Sequence, residues 1–566
     1  MQTRFIHLLA AATIILLASC SKPNTQGKFI PKEAAFVIHI DGKSLSARLP
    51  WEEIKQNPAF RQAYNDSTIP AAIKVLLNNP DSAGIDTKTD MLFFVQKDSS
   101  GGYVAFEGTV KDENLFKTFN KQFTEKATES EKDGVNFISR APFCIGFTKD
   151  KFVYVFDAPQ MKQIDGLSKR MQQDSIDIAP AKTRDIGATC KAIFALKDDN
   201  SLAKNEKFTK LLKESGDIHF WMNTEELSKD AFDNPMLAMV NLEKFYKGSL
   251  TTATVNFDNG KINIAGKSYV GEDLAKIFKK YRGGKINEDM IKRMPGKDVV
   301  GLMAISFKPE GIREILTLAN LDGVANMVLK FAGFTVDDFI KANKGDILFG
   351  ASDLTIKKDS VKYNLYDKED VSVQNKPVFN FVFATSIGDK DAFNKLVNAG
   401  KKLGEKQMGD SSKAPFAYNS NGTYFTIANN KENADKYLTG GNTNFDFISK
   451  INGQSIGGYL NIHLLLKAFE GEAAKDSSAK IVYDASLNLW DNLLIKGGDF
   501  SGGAISSTIE INLIDKTTNS LKQLNQYAAK LAEVYKAKRD KQKKEMMAFE
   551  DAIPPEDVVA PSTKMK

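Results

Sequence analysis

The sequence predicts an α+β fold made of two duplicated halves, each a mainly antiparallel sheet with packed helices. Hairpin-like pairs of alternating segments dominate the connections, which favours antiparallel pairing. The same order of strand-like and helix-like segments also occurs twice along the chain. The 566 residues are 42% hydrophobic, and 38 Phe against 3 Trp favour strand-rich layers packed by Phe. The length suggests more than one domain.

Residues 1–19 are typical of a secretory signal peptide. Arg4 supplies a positive charge, residues 5–17 are mostly apolar, and small residues precede Cys20. The apolar run is short for a bilayer-spanning helix. The ending Leu17-Ala-Ser-Cys20 resembles the lipobox of bacterial lipoproteins, in which the Cys thiol receives a diacylglycerol and the chain is cut before it. We therefore expect Cys20 to be lipidated. An ordinary signal peptide or a short membrane anchor are the alternatives.

Residues 20–28 are polar and contain Pro and Gly, as expected of a tether between the lipid and the folded body. Each buried methylene of an acyl chain contributes about 0.8 kcal/mol to membrane binding, and stable anchoring takes two signals, such as two chains. Several acyl chains on Cys20 would meet that requirement. The sequence therefore predicts that the membrane is a partner of the protein through Cys20.

The internal repeat is predicted from six pairs of segments that follow one another in the same order. The pairs are 36–40 with 301–307, 90–95 with 346–350, 103–110 with 379–387, 141–143 with 414–416, 190–196 with 458–464, and 218–221 with 487–490. In this alignment Trp221 and Trp490 are equivalent. Asp112 and Asp389 stand where helices should begin, and a carboxylate there accepts unpaired backbone N–H groups. We expect halves at residues 29–285 and 286–536.

The last predicted helix has apolar residues at helical spacing from Leu521 to Val534. Residues 537–566 follow as a basic stretch and then a disordered tail rich in Pro. Most of the net charge of +6 comes from the six Lys and Arg between Lys536 and Lys544. The rest of the body is nearly neutral, so a nucleic-acid partner is not expected. The basic stretch is typical of a solvated helix end, with contact to anionic lipid headgroups as the alternative.

Catalytic motifs are matched only in part. Gly453-Gln-Ser455-Ile-Gly457 fits the nucleophile elbow of serine hydrolases, which needs a strand before the Ser and a helix after it. Here a helix-like segment precedes Ser455 and a strand-like one, 459–466, follows it. Two Gly-Lys-Ser tripeptides, beginning at Gly42 and Gly266, lack the earlier Gly of a phosphate-binding loop. No catalytic residue is therefore expected, and a hydrolase based on Ser455 is the third hypothesis.

Metal and cofactor sites are not expected either. The mature histidines, His39, His219 and His463, each lie in a predicted strand without a second His or Cys at ligand spacing. We interpret them as satisfied or solvent-facing. Cys144 and Cys190 lie in apolar alternating segments, which favours two small buried side chains over a disulfide bond.

The lipobox, the opening Ile30-Pro31-x-x-Ala-Ala-Phe-Val-Ile-His-Ile and the restart Met294-Pro-Gly-Lys-Asp-Val-Val resemble the DUF4836 lipoproteins of Bacteroidetes, a family of unknown function. The resemblance covers nearly the whole mature chain. It implies a cell-envelope location and supplies no catalytic residue. The tether lacks an acidic cluster of the kind that resembles a surface-export signal in such lipoproteins, so we expect the periplasmic face of the outer membrane.

The sequence thus favours a non-catalytic, lipid-anchored envelope protein that binds a protein or cell-wall partner. A small-molecule or glycan-binding lipoprotein is the alternative, because a duplicated pair forms a cleft between its halves. A deep cleft lined by exposed aromatic side chains would favour that alternative, whereas a flat apolar patch would favour a protein partner.

Cys20→Ala tests the anchor. Because the substitution removes the thiol that accepts the lipid, we expect the protein to leave the membrane fraction and to incorporate no palmitate. Cys144→Ala is the control and should keep both properties. Palmitate incorporation by the Cys20→Ala protein would contradict the predicted lipidation.

Overall fold

The computed structural model describes residues 26–552, apart from 66–68, 70, 125, 160–183, 230–240, 242, 366–367 and 409–415. The described chain contains helices and one large antiparallel sheet, which confirms the α+β class. Of the segments that predicted the repeat, Ala414 and Pro415 lie outside the described residues, as do the signal peptide and Cys20.

Eighteen strands belong to one sheet in the part of the chain that the structure describes. They are β1 (Phe36–Asp41), β2 (Asp90–Asp98), β3 (Gly101–Thr109), β4 (Thr128–Lys132), β5 (Val135–Arg140), β6 (Phe143–Phe147), β7 (Lys151–Asp157), β8 (Ile218–Met222), β9 (Leu250–Asp258), β10 (Lys261–Tyr269), β11 (Val299–Ser306), β12 (Asn343–Leu365), β13 (Lys368–Ile387), β14 (Ala417–Ser420), β15 (Tyr424–Ala428), β16 (Ile456–Asn461), β17 (Trp490–Ser501) and β18 (Ala504–Leu513).

The α-helices lie between these strands and after the last one. They are α1 (Gly42–Arg48), α2 (Trp51–Gln56), α3 (Pro58–Tyr64), α4 (Ala71–Asn78), α5 (Glu113–Phe123), α6 (Ile186–Phe194), α7 (Glu206–Leu211), α8 (Thr224–Ser228), α9 (Glu243–Tyr246), α10 (Glu272–Lys280), α11 (Glu288–Lys292), α12 (Gly311–Leu318), α13 (Asp322–Phe331), α14 (Val336–Ala342), α15 (Lys390–Met408), α16 (Lys431–Thr439), α17 (Ile448–Ile451), α18 (Ile462–Ala468), α19 (Glu470–Ala473), α20 (Ser477–Leu489) and α21 (Ser520–Ala552). Short 3₁₀ turns span Pro80–Ala83, Asp198–Asn200 and Leu202–Lys204.

The strand pairings join into one order across the sheet. From edge to edge the order is β4, β5, β6, β7, β3, β2, β1, β8, β9, β10, β18, β17, β16, β11, β12, β13, β15, β14, with every pair antiparallel. Strands β1 to β10 therefore lie on one side of the β10–β18 pair, and β11 to β18 lie on the other.

The order is similar on the two sides of that pair. β1 lies between β2 and β8, and β11 lies between β12 and β16. The hairpin β9–β10 likewise matches β17–β18, and the two hairpins pair through β10 and β18. A duplication predicts matching order of this kind. The duplication itself stays a prediction, as do the exact domain boundaries.

Turn and cap residues explain why the chain reverses and why helices begin where they do. Gly260 has φ +67° between β9 and β10, a conformation that glycine adopts without a steric penalty. The Asp112 carboxylate accepts a hydrogen bond from the Leu115 N–H at 2.9 Å, and Asp389 accepts from Ala392 at 2.8 Å. Both predicted N-caps are confirmed.

Two of the six segment pairs were assigned the wrong secondary structure. Residues 190–196 begin inside α6, where Ile186, Cys190 and Ile193 are buried at helical spacing behind the N-cap Asp185. Residues 487–489 close α20, and Trp490 only begins β17. The predicted equivalence of Trp221 and Trp490 is therefore wrong, because by pairing β8 corresponds to β16.

The sheet is covered by separate apolar clusters on the two sides of the β10–β18 pair. One cluster of the first half is built around Phe94, Cys144 and Trp221, and a second around Phe116. The main cluster of the other half is built around Leu348 and Tyr437. Each half thus has a core of its own, and the sheet continues between them.

The C-terminal helix α21 is longer than predicted. Its first part packs against α3 and α20, where Tyr527 hydrogen-bonds to Ser486 at 2.8 Å. The helix then continues through the basic stretch, whose Lys and Arg side chains are exposed, to Ala552. Residues 553–566 lie outside the described residues. No helix in the described part of the chain is long and apolar enough to cross a membrane.

Phe116→Ala tests the packing of α5 on the sheet. The Phe116 ring is fully buried, with its centroid 5.2 Å from that of Phe147 and 5.0 Å from that of Phe152. Truncation leaves a cavity, so we expect a loss of about 3–5 kcal/mol in the free energy of unfolding. The neighbouring Leu115 is exposed, and Leu115→Ala should change stability by no more than about 0.5 kcal/mol. Equal urea midpoints for the two variants would contradict this packing.

Candidate functional site

The described chain begins beside a buried polar cluster. The Gln26 amide donates a hydrogen bond to the Asp90 carboxylate at the start of β2. Asp90 also lies next to His39 of β1, with 3.4 Å between its Oδ1 atom and His39 Nε2. Since Cys20 lies six residues before Gln26, the predicted tether reaches the folded body at this polar cluster.

His39 and His219 form the centre of the cluster. They are direct cross-strand partners in β1 and β8, and their Nδ1 atoms are 3.0 Å apart. Both side chains are almost fully buried. Both lie in strands and both rings have hydrogen-bond partners, as the interpretation of satisfied strand histidines expects, but the contact between the two rings was not predicted. The residues are 180 positions apart, and no local pattern signals that they meet.

The hydrogen bonds assign the protons of the two rings. His219 Nε2 lies 2.9 Å from the Glu214 carbonyl oxygen, which can only accept, so this nitrogen carries hydrogen. Burial lowers the pKa of His219, which favours its neutral form and leaves Nδ1 as an acceptor. His39 Nδ1 must then donate. The His39 ring lies next to Asp90 and lowers the pKa of that carboxylate.

Glu107 of β3 extends the buried polar groups across the sheet. Through Leu92 of β2 it shares a sheet face with His39, since all three stand in register. Its carboxylate oxygens have no hydrogen-bond partner within the described residues, and Lys151 Nζ is 3.8 Å away. Burial raises the pKa of Glu107 to about 7. The group is therefore close to half protonated at neutral pH.

The two histidines and Glu107 are closed to a substrate, whereas the Asp90 side chain is 37% exposed. His39, His219 and Glu107 are each less than 5% exposed. Two imidazoles that share a proton can act as an acid–base pair only if a reacting atom can approach within hydrogen-bond distance. The arrangement instead orders the sheet and makes its stability depend on pH.

The structure also places Ser455 and His463. Ser455 is buried just before β16 and follows α17, so the strand and helix are in the reverse of the order that a nucleophile elbow needs. His463 lies in α18 and not in a strand, because Asn461 caps that helix by accepting from the Leu464 N–H at 2.8 Å. His463 Nδ1 contacts the Leu487 carbonyl at 3.1 Å. The elbow geometry is therefore not met.

Cys144 and Cys190 are both fully buried and both free thiols. Cys144 lies on β6 and Cys190 on α6, within the same apolar cluster. The expectation of two small buried side chains agrees with this burial. Within the described residues, no group of three or more His, Cys, Asp or Glu side chains could hold a metal ion.

An apolar cavity lies where elements from the two predicted halves meet. Its volume is about 460 Å³, and its lining is mostly apolar. The first half contributes α8, α9, β9, β10 and α10, and the second contributes α12 and the residues before α13. The lining residues are Thr224, Phe245, Tyr246, Ser249, Thr251, Ser268, Tyr269, Val270, Leu274, Ile315, Leu316, Ala319 and Leu321. We call this space the junction cavity.

Helix α13 extends the apolar surface beyond the junction cavity. Val324, Met327, Val328 and Phe331 are 49%, 56%, 57% and 88% exposed. Leu321, at the edge of the cavity, precedes Val324 by three residues and Val328 by seven, so these side chains lie on one side of the helix. We call the four exposed side chains the α13 surface. Sequence reasoning missed it, although the apolar residues at this spacing were a visible signal.

The pH dependence of unfolding tests the histidine pair. Because the pKa of His219 is lowered from 6.5, the unfolded chain binds a proton below that pH before the folded chain does. The contribution of His219 to the free energy of unfolding is therefore fully present above pH 6.5 and decreases as the pH falls below that value. The contribution of Glu107 to the free energy of unfolding changes in the opposite direction. Because its pKa is raised from 4.5 to about 7 in the fold, this contribution decreases as the pH rises through that range.

The informative quantity is thus the difference in the free energy of unfolding between wild type and His219→Gln. From pH 7.5 to 5.5 we expect wild type to lose about 1 kcal/mol relative to the variant. Thr254→Val, at the cross-strand partner of His219 in β9, is the control, and its difference from wild type should not change with pH. A constant difference for His219→Gln would contradict the assignment.

Comparisons with known proteins bear on the family and not on the activity. Crystal forms III and I of TP0453 align with 8% and 9% sequence identity and a TM-score of 0.23. These alignments cover 46% and 45% of this chain and 87% and 81% of the other chain. No curated protein matches the sequence. A family model described as a domain of unknown function, DUF4836, matches residues 27–441, which is well over half of the chain, and the protein therefore belongs to the DUF4836 family.

Proposed function

We propose that the protein is a non-catalytic lipoprotein of the bacterial cell envelope, anchored through Cys20, that binds an envelope protein through the α13 surface. The exposed apolar side of α13 carries this proposal. The Phe331 ring is 88% exposed, and contact of an apolar ring with water is unfavourable. A partner that covers this ring therefore gains binding free energy. The anchor and the outer-membrane location rest on the lipobox and the tether.

The shape of the surface favours a protein partner. The four side chains follow a single helix, and the only charged residues of α13 are Asp322 and Lys330. A surface of this kind fits the apolar core of a protein interface, which is depleted in charges and surrounded by a polar rim. The adjoining junction cavity offers a recess for one large apolar side chain of the partner, as interface anchors require.

The helix is held firmly enough to present these side chains. α13 lies between α12 and α14, and Asn326 accepts a hydrogen bond from the Val336 N–H at 3.3 Å. Thr335 and Asp338 form a capping box that fixes the start of α14. A surface that is ordered before binding loses less entropy on association.

A small apolar molecule is the second candidate ligand, favoured by the cavity volume. About 460 Å³ falls within the range of small-molecule sites. Tyr269 and Phe245 in the lining could also stack on a sugar ring. Leu316→Trp would fill the cavity while leaving the α13 surface intact, so it separates a cavity ligand from a protein that covers the helix.

Phe331→Asp tests the protein partner. The full-length variant and wild type are each isolated with a tag from intact envelopes after cross-linking, and the captured proteins are compared. We expect a discrete partner with wild type, and at least about 30-fold weaker binding for the variant, as for an interface anchor worth about 2 kcal/mol.

Val75→Asp is the control, because Val75 is an exposed apolar residue on a different helix, α4. It should keep the partner. Loss of the partner in both variants, or in neither, would contradict binding through α13. Loss with Leu316→Trp but not with Phe331→Asp would favour the cavity ligand, and self-association that Phe331→Asp abolishes would identify a second copy as the occupant.

A further inference from the structure

The two cysteines that follow Cys20 meet across two elements far apart in sequence. Cys144 lies on β6 and Cys190 on α6, two elements that pack on each other, and both side chains belong to one buried cluster. Cys190 Sγ lies against β6 at Gly146, where a Cβ atom would be 3.1 Å from the sulfur and 2.4 Å from the Phe194 ring. Gly146 is two residues along β6 from Cys144, so the two positions face the same side of the strand, and the Cys190 thiol is therefore close to the Cys144 thiol.

We propose that Cys144 and Cys190 form a disulfide bond in the mature protein, with Cys144 as the thiol that exchanges with the oxidant. The inference rests on the proposed envelope location, because disulfides form and persist in the periplasm. It adds a covalent link between β6 and α6. The link would close the stretch from 144 to 190, which includes residues outside the described part of the chain.

The surroundings distinguish the two thiols. A cavity of about 260 Å³ reaches Cys144, and it is also lined by Ser139, Asp185 and Lys191. The Cys190 thiol and then the Ser139 hydroxyl hydrogen-bond to Cys144 and lower its pKa. The same contact, together with burial, raises the pKa of Cys190. Cys144 is therefore the first to become a thiolate, and it is the thiol that lines the cavity.

The oxidant in this exchange is an exported thiol–disulfide oxidoreductase or a small disulfide such as oxidised glutathione. The Cys144 thiolate attacks one sulfur of the oxidant disulfide, and the other sulfur leaves as a thiolate. The Cys190 thiolate then attacks Cys144 Sγ, and the second oxidant sulfur leaves. The two cysteines lose two electrons and two protons, and the oxidant disulfide is reduced to two thiols.

Alkylation of the full-length protein tests the bond. Protein from the cell envelope is denatured with excess iodoacetamide and no reductant, and its peptides are analysed by mass spectrometry. We expect the peptides of Cys144 and Cys190 to be linked and unalkylated, and both cysteines to be alkylated only after reduction. Alkylation of both without reductant would overturn the proposal.

Thermal unfolding supplies the second measurement. Reduction should lower the unfolding temperature of wild type by about 5 °C or more, since the cross-link restrains the unfolded chain. Cys144→Ala and Cys190→Ala are the matched controls and should not respond to the reductant. An equal response of wild type and controls would also overturn the proposal.

The design separates this proposal from the proposed function. The same spectra report whether Cys20 carries lipid, so loss of the anchor is seen independently of the bond. If the protein is not exported, the proposed function fails, and oxidised glutathione added to the purified reduced chain then tests the pair alone. Failure of the pair to form a disulfide under those conditions would overturn the inference.

Discussion

The antiparallel pairing of β10 with β18 is the interaction on which the rest of the structure depends. Lys261–Tyr269 pairs in unbroken register with Ala504–Asn512, so the backbone groups on the free edges of the β9–β10 and β17–β18 hairpins satisfy each other. The pair also sets the distance between the elements that follow β10 and those that follow β11. In the junction cavity, Tyr269 and Leu274 from one side of this pair and Ile315 and Leu321 from the other line the same space.

Local chemistry explains what could be predicted from the sequence. The alternation in β1 and β11 and the caps at Asp112 and Asp389 each act within a few residues, so the sequence alone predicts them. Cys190 and His463 lie in helices and not in the predicted strands, because short apolar segments fit both periods and the caps Asp185 and Asn461 favour the helix. The contact between His39 and His219 could not be predicted, because sequence periodicity does not indicate which distant strands become neighbours.

Two buried groups with shifted pKa values, His219 and Glu107, act on the fold itself, because their side chains are almost completely covered by the protein. The α13 surface, by contrast, is apolar and open to solvent. Covering its side chains removes apolar surface from water, so this part of the molecule can contribute free energy to binding.

The two edge strands of the sheet affect whether molecules at high density can pair edge to edge. Within the described residues, the terminal strands are β4 and β14, and each is short. Every residue of β4 is exposed, and Glu129, Glu131 and Lys132 place charge along it. A strand from another molecule could pair with β4 only by placing its backbone next to these charged side chains. This disfavours edge-to-edge growth into fibres. A sheet of this width can therefore be crowded on a surface without polymerising.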